Sequence, residues 1–300
     1  MSYKVFGVFV ASVLISGTAF AQNTVMDQST SRTDEPVNTA WKPSLVKDGA
    51  YDVTPHISQS LAWQPIREAD ILWKKRVWRE IDTREKQNMP FRYPGDDQTG
   101  GGYFIEILVD AIKKGKLKAY SSFSDRFTTA LTKEQIMEAL TGKDDSVQVP
   151  DPRTGEIKII VSHRDFNPDL VVKYRLKEDW IFDRNQGRMV NRIIGIAPII
   201  NVIDPNTGES RGSSPLFWIY YPEARSILAQ YEVFNPDNDM QRLTWDDYME
   251  GRFWSGRIIK VSNPFDEYIQ QQHSNPYDAL YQGDREAERV FNKEHDMWVY

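Results

Sequence analysis

The feature that most constrains the fold is one turn written twice. Asp151-Pro-Arg-Thr-Gly-Glu156 and Asp204-Pro-Asn-Thr-Gly-Glu209 carry the same signal in the middle of a 300-residue chain. In each, Pro pre-sets φ for a type I turn, and Gly takes the positive-φ position that lets the chain return as a strand. β-rich segments flank both copies: Val147 to Val149 and Ile157 to Val161, then Ile199 to Ile203 and Leu216 to Tyr220. Between them, Leu170 to Asp183 and Arg188 to Ile203 read as a third hairpin, closed at Asn185-Gln186-Gly187. Successive hairpins predict a mainly antiparallel sheet.

Helical signals lie on either side of it. Ile66, Ala69, Leu72, Trp73, Val77 and Ile81 recur at helical spacing and predict a helix to about Lys86, before Pro90 and Pro94. Tyr103 to Leu117 predicts a second. Thr132 to Gln135 is a capping box launching a short helix to about Leu140. After the sheet, Pro222 to Gln230 reads as helical, and Thr244 can cap a helix through about Trp254 with Asp247 at its third position. Asn263-Pro-Phe-Asp266 and Asn275-Pro-Tyr-Asp278 each place an Asn cap before a first-turn Pro, and the last helix runs to about His295. The fold class is α+β: N-terminal helices, a central mainly antiparallel β-hairpin meander, and C-terminal helices.

The N-terminus has the grammar of a cleavable export signal. Lys4 precedes the apolar run Val5 to Ile15, and Ala19-Phe20-Ala21 satisfies the small-x-small rule, so cleavage is expected before Gln22. The run is much shorter than the ~20 residues of a spanning helix, and no Cys follows to take a lipid. The expected organisation is a signal peptide over 1–21, a polar arm over 22–60, and one α+β domain over 61–300, without a transmembrane segment in the mature chain.

Several chemistries are disfavoured. The chain has no cysteine, which removes disulfides, Cys-ligated metals and thiol nucleophiles. A net charge of -6 with interspersed signs argues against nucleic acid as partner. His163-Arg164-Asp165 matches the start of a kinase catalytic loop, but position 170 is Leu where a metal-binding Asn is needed. Asp237-Asn-Asp239 opens like a calcium loop, yet Arg242 replaces the turn Gly and Tyr248 the closing Glu. His56, His163, His273 and His295 form no metal-ligand pair. No GxSxG elbow exists. No catalytic residue, metal or cofactor is expected.

Paired carboxylates keep one enzymatic alternative open. Asp246, Asp247 and Glu250, near Trp245 and Trp254, would suit a carbohydrate-active enzyme or glycan-binding protein. Against this, Asp246 and Asp247 fall in a first helical turn, where they serve the cap and dipole. The nine Trp are a further puzzle. Pro215 to Pro222 (PLFWIYYP) is apolar on both strand faces, which fits either a central strand covered by its own helices or a subunit interface at Trp218 and Tyr220. Trp41 and Tyr51 are the candidate anchors of the arm.

Longer stretches resemble a known family. Arg67-Glu-Ala-Asp-Ile-Leu-Trp-Lys-Lys-Arg-Val-Trp-Arg79, Val172-Lys-Tyr-Arg-Leu-Lys-Glu-Asp-Trp180, Ile193-Ile-Gly-Ile-Ala-Pro198, Pro215-Leu-Phe-Trp-Ile-Tyr-Tyr-Pro-Glu-Ala-Arg225 and Phe291-Asn-Lys-Glu-His-Asp-Met-Trp298 are similar to the GldN/PorN family. The resemblance implies a periplasmic subunit of the type IX secretion and gliding machinery of Bacteroidetes. It implies self-association in a large ring with a GldK/PorK-type lipoprotein at the inner face of the outer membrane. Other machinery components such as GldM/PorM-type proteins would be further partners. No catalytic residue is carried over from the family.

Overall fold

Antiparallel pairing organises the chain. The computed structural model describes residues 59–94, 102–141, 145–150, 157–162, 166–203, 210–238 and 243–298, all within one compact unit from Val37 to Tyr300. In chain order its elements are β1 (Ile71–Asp82), α1 (Phe104–Lys113), β2 (Ala119–Tyr120), α2 (Lys133–Thr141), β3 (Asp145–Pro150) and β4 (Ile157–Ser162). Then come β5 (Val171–Asp183), β6 (Arg188–Ile203), β7 (Ser210–Pro215), β8 (Trp218–Tyr220), α3 (Tyr221–Leu228), α4 (Trp245–Glu250), β9 (Arg257–Val261), α5 (Ile269–Gln272) and α6 (Pro276–Met297). Seven strands make one sheet in the order β2-β8-β6-β5-β1-β9, with β7 also on β6, while β3 and β4 form a separate two-stranded sheet. The class is α+β.

Two expected hairpins pair as antiparallel strands, β3 with β4 and β5 with β6. After the second repeated turn the strand that returns on Ile199–Ile203 is β7, Ser210–Pro215, not Leu216 to Tyr220, of which β8 pairs with β6 further along at Gly195 and Ile196. The two repeated turns themselves lie outside the described residues, as do His163 to Asp165. At the third hairpin Gly187 takes φ +62° and its N–H donates to the Asp183 carbonyl (2.9 Å), the left-handed geometry for which Gly is suited. The capping box also forms: Thr132 N–H donates to Gln135 Oε1 (3.0 Å) and Gln135 N–H to Thr132 Oγ1 (3.3 Å).

The first helix does not form; Ile71–Asp82 is β1. Trp73, Val77 and Ile81 recur every fourth residue, and a spacing of four shares one face of a strand as well as one face of a helix. Leu72, which the helical reading put beside Trp73, is exposed. The deciding information is non-local. Arg76 stands opposite Asp179, Trp78 opposite Lys177 and Glu80 opposite Arg175 on β5, so the charges of one strand answer those of the other. The sequence reading also missed β9. Asn263 turns a loop instead of capping a helix: its Oδ1 accepts from the N–H groups of Phe265 and Glu267 (both 3.1 Å). Asp266 at φ +57° then leaves the helical region. The α4 helix stops at Glu250, short of Trp254, with Arg252 at φ +56° just beyond it.

The two sheet faces differ because side chains alternate along each strand. One face carries Ile81, Tyr174, Leu176, Ile196, Phe217 and Ile219 into the main core, with α1, α3 and α4 over it. Phe91 is its aromatic centre, with ring centroids 5.1 to 5.8 Å from Phe104, Tyr174, Trp245 and Tyr248. The other face places Trp78, Ala197 and Trp218 together under Tyr120, Phe127 and Ile259. It also carries Arg76, Lys74 and Asp179, paired by ion bridges. The C-terminal α6 packs closely on β9. A Cβ at Gly283 would lie 2.7 Å from the Ile258 carbonyl oxygen, so only Gly permits this approach without a shift.

Candidate functional site

The three carboxylates singled out from sequence do converge on one cleft, but each has a partner. Thr244 caps α4, its Oγ1 accepting the Asp247 N–H (3.0 Å) and its hydroxyl donating to Asp247 Oδ2 (2.7 Å). Asp246, on the same first turn, is buried and faces α3. There Arg225 Nε and Nη2 donate to its two oxygens at 2.9 and 3.0 Å, and the Tyr221 hydroxyl donates at 3.2 Å. A bidentate guanidinium–carboxylate pair of this kind is among the stronger charge-assisted contacts. Burial would lower the pKa of Arg225, but the hydrogen bond and charge of Asp246, with Glu250, raise it instead. Burial, then the charges of Glu250 and Asp246, push the Tyr221 hydroxyl well above its usual value.

The cleft is filled by the chain's own Trp63. Its indole N–H donates to Glu250 Oε2 (2.9 Å). Two guanidiniums, Arg192 and Arg225, each lie over its ring at 4.8 Å from the centroid, and the ring of Tyr221 is 6.3 Å away. Arg192 also donates to the Gln64 carbonyl (3.1 Å). Burial, with the nearby charges of Arg225 and Arg188, lowers the pKa of Arg192 against the pull of Glu250. Beside the indole remains a cavity of about 220 Å³ lined by Leu61, Arg188, Val190 and Asp247 among others. Residues 59–67 have no regular structure, so side-chain contacts to Trp63 and Gln64 are what hold this stretch. Chemically, the arrangement is a clamp for an aromatic side chain: two cations over the ring and a carboxylate for the N–H.

Trp63, Tyr221, Arg192 and Arg225 were not singled out from the sequence as site residues. The available signal was a lone Trp at the edge of a polar arm, which needs a buried acceptor for its N–H. Trp218 is 3% exposed, packed on Trp78 and Ala197, and Tyr220 is half-buried. Trp41 and Tyr51, and Ala19, Ala21 and Gln22, lie outside the described residues. The aromatic richness has a physical role: Trp63, Trp78, Trp180 and Trp254 each lie under one or more Lys or Arg cations.

Among the described residues no group of His, Asp and Glu could hold a metal ion, and no helix is long and apolar enough to cross a membrane. A comparison with curated proteins finds no match. A family comparison matches residues 66–299 to the family described as gliding motility associated protein GldN. Of the segments that carry the resemblance, four run through β1, β5, β6 and β8 with α3 and the last lies on α6. They include Tyr221 and Arg225 of the clamp, whereas Trp63 precedes the matched residues, and the chain belongs to the GldN family.

Proposed function

We propose that the chain is a non-catalytic scaffold subunit of the type IX secretion and gliding machinery, acting in the periplasm after removal of residues 1–21. In this reading it forms a large ring with a GldK/PorK-type lipoprotein at the inner face of the outer membrane and contacts other machinery components. The observation that carries the reading is family membership across nearly the whole described fold. The clamp supports it. Asp246, Asp247 and Glu250 are engaged in holding α4, α3 and the N-terminal stretch together, which suits a building block more than an acid–base pair. Residues 22–60 are in this reading the arm that orders against a neighbouring subunit, with Trp41 and Tyr51 as anchors.

The test is the assembly state of residues 22–300, alone and co-expressed with a GldK/PorK-type lipoprotein, by light scattering and negative-stain imaging. A stable complex of very high mass with ring profiles is expected. A monomer in both samples with no co-purification would overturn the reading. Glycan binding or hydrolysis lost on replacing Asp246 or Glu250 would then point to the carbohydrate-active alternative.

A further inference from the structure

The α6 helix has two apolar sides. Ala279, Gly283, Glu286 and Val290 form the buried stripe against the domain. On the opposite side, residues recurring every three or four positions turn outward together. There Tyr277 is 71% exposed, Tyr281 66% and Phe291 63%, with Leu280 and Trp298 about half-exposed on one flank. At the C-terminal end the rings of Phe291, His295 and Trp298 form a pad, with centroids 5.9 and 5.3 Å apart along the series. The exposed part of these five apolar side chains comes to roughly 600 Å², divided between a cluster at Tyr277, Leu280 and Tyr281 and another at Phe291 and Trp298. A solvent-facing helix surface ordinarily carries charged and polar residues instead.

Between the two aromatic clusters stand Asp284 and Glu288, both exposed, with Asp278 and Asp296 toward the helix ends. Arg285 is the cation near them; Arg289 is tied to Glu286 at 2.7 Å on the other flank. The outward face is therefore aromatic at both ends and acidic in the middle.

We propose that this face docks an amphipathic helix of a different protein, with apolar side chains at both ends and Lys or Arg between them. Tyr281 and Phe291 are ten residues apart, about 15 Å along the axis, so a straight helix of roughly four to five turns engages both clusters at once. Charge selects among occupants. A second α6 packed antiparallel would set Asp284 and Glu288 against their own copies, and an anionic lipid surface would be repelled in the same way. A basic centre is attracted. The inference goes beyond the scaffold reading and does not rest on it.

Fluorescence anisotropy with the full chain tests it. The probe is a labelled helical peptide of about 18 residues with Leu at both ends and Lys and Arg in the middle; a counterpart carries Glu in place of the cations. The basic peptide is expected to bind saturably, and the Glu peptide about tenfold or more weaker. Tyr281→Ala with Phe291→Ala, both at exposed positions and checked for unchanged helicity by circular dichroism, should lose about tenfold or more. Asp284→Lys with Glu288→Lys should reverse the preference between the peptides, a readout that general loosening of the fold cannot mimic. Absence of saturable binding by the basic peptide, equal binding of both peptides, or indifference to these substitutions would overturn the proposal. So would a self-dimer in sedimentation that Phe291→Ala abolishes.

Discussion

Among the buried carboxylates that arginine answers, Glu178 and Asp246 are answered differently. Glu178 on β5 is fully buried. It takes Arg79 from β1 at 3.3 Å, Arg252 from beyond α4 at 3.2 Å, and the Trp180 indole N–H at 3.1 Å. Cations also stack on the local rings: Arg79 and Arg252 on Trp180, and Arg252 on Trp254. Its carboxylate is sealed within the domain, although the Arg252 side chain that answers it is 28% exposed. Asp246 has one bidentate guanidinium and a tyrosine hydroxyl, and beside it the cleft stays open enough to admit Trp63. The same chemical pair locks the scaffold in one place and forms an attachment point in the other.

The sealed centre should be the costlier to break. Glu178→Ala leaves Arg79 and Arg252 facing each other without a counter-charge, and a loss of about 3–5 kcal/mol is expected in urea denaturation. A loss below about 1 kcal/mol would show that water or another carboxylate takes over. Asp246→Ala strands Arg225 in the same manner, but Glu250 Oε1 lies 4.0 Å from its Nε and can move in. The expected loss is therefore smaller, about 2–3 kcal/mol, and adding Glu250→Ala should bring it up to the Glu178 value. If the two single variants cost the same from the start, the open centre is not the more adaptable one.

Why one centre was foreseen in part and the other not is a matter of range. Thr244 with Asp247 is a contact over three residues, and local rules find such caps; the same holds for Thr132 with Gln135 and Asn275 at the start of α6. The hairpins were legible because turn residues and strand composition are also local. Glu178 with Arg79 and Arg252, or Trp63 with Glu250, depends on residues far apart in sequence. Nothing in either segment names the other. The β1 strand shows the same boundary of legibility: its own spacing allows helix or strand, and the opposing charges of β5 decide it. The site carboxylates were visible as residue types, whereas their commitment to Arg225, Thr244 and Trp63 is a property of the assembled core.

Trp63→Ala cuts the attachment and takes the ring off Arg225, but leaves both guanidinium–carboxylate pairs themselves in place. Its cation–π and hydrogen-bond contacts are partly exposed, so about 1 kcal/mol or less of global stability should be lost. The larger effect is local: limited proteolysis should cleave near residues 59–66 many times faster, while the domain beyond Ile71 stays intact. An unchanged cleavage pattern would mean that the stretch is held by something other than the clamp, and the contrast between a lock and an attachment point would fail.

The smallest effect belongs to a third pair, which shows that bidentate geometry alone does not set the scale. Arg76 donates twice to Asp179, at 2.6 and 2.8 Å, and Lys74 adds an ion pair at 2.9 Å. Burial of Asp179, taken alone, would raise its pKa, but the hydrogen bonds from Arg76 and Lys74 outweigh it and hold the carboxyl below the ordinary range. A depressed folded-state pKa contributes stability that is complete above the unfolded value near 3.9 and is lost as pH falls through the folded value. Stability should therefore fall with acidification below about pH 4, and Asp179→Asn should flatten that slope. Because the Lys74 and Arg76 side chains are 46% and 38% exposed, the contribution should stay under about 1 kcal/mol and shrink further in high salt. A slope unchanged in Asp179→Asn would assign the acid sensitivity elsewhere, first to Asp82, whose carboxyl the Arg84 hydrogen bond likewise depresses. A salt-resistant loss as large as that of Glu178→Ala would mean that exposure does not separate these pairs, and the distinction between sealed and open centres would lose its physical basis.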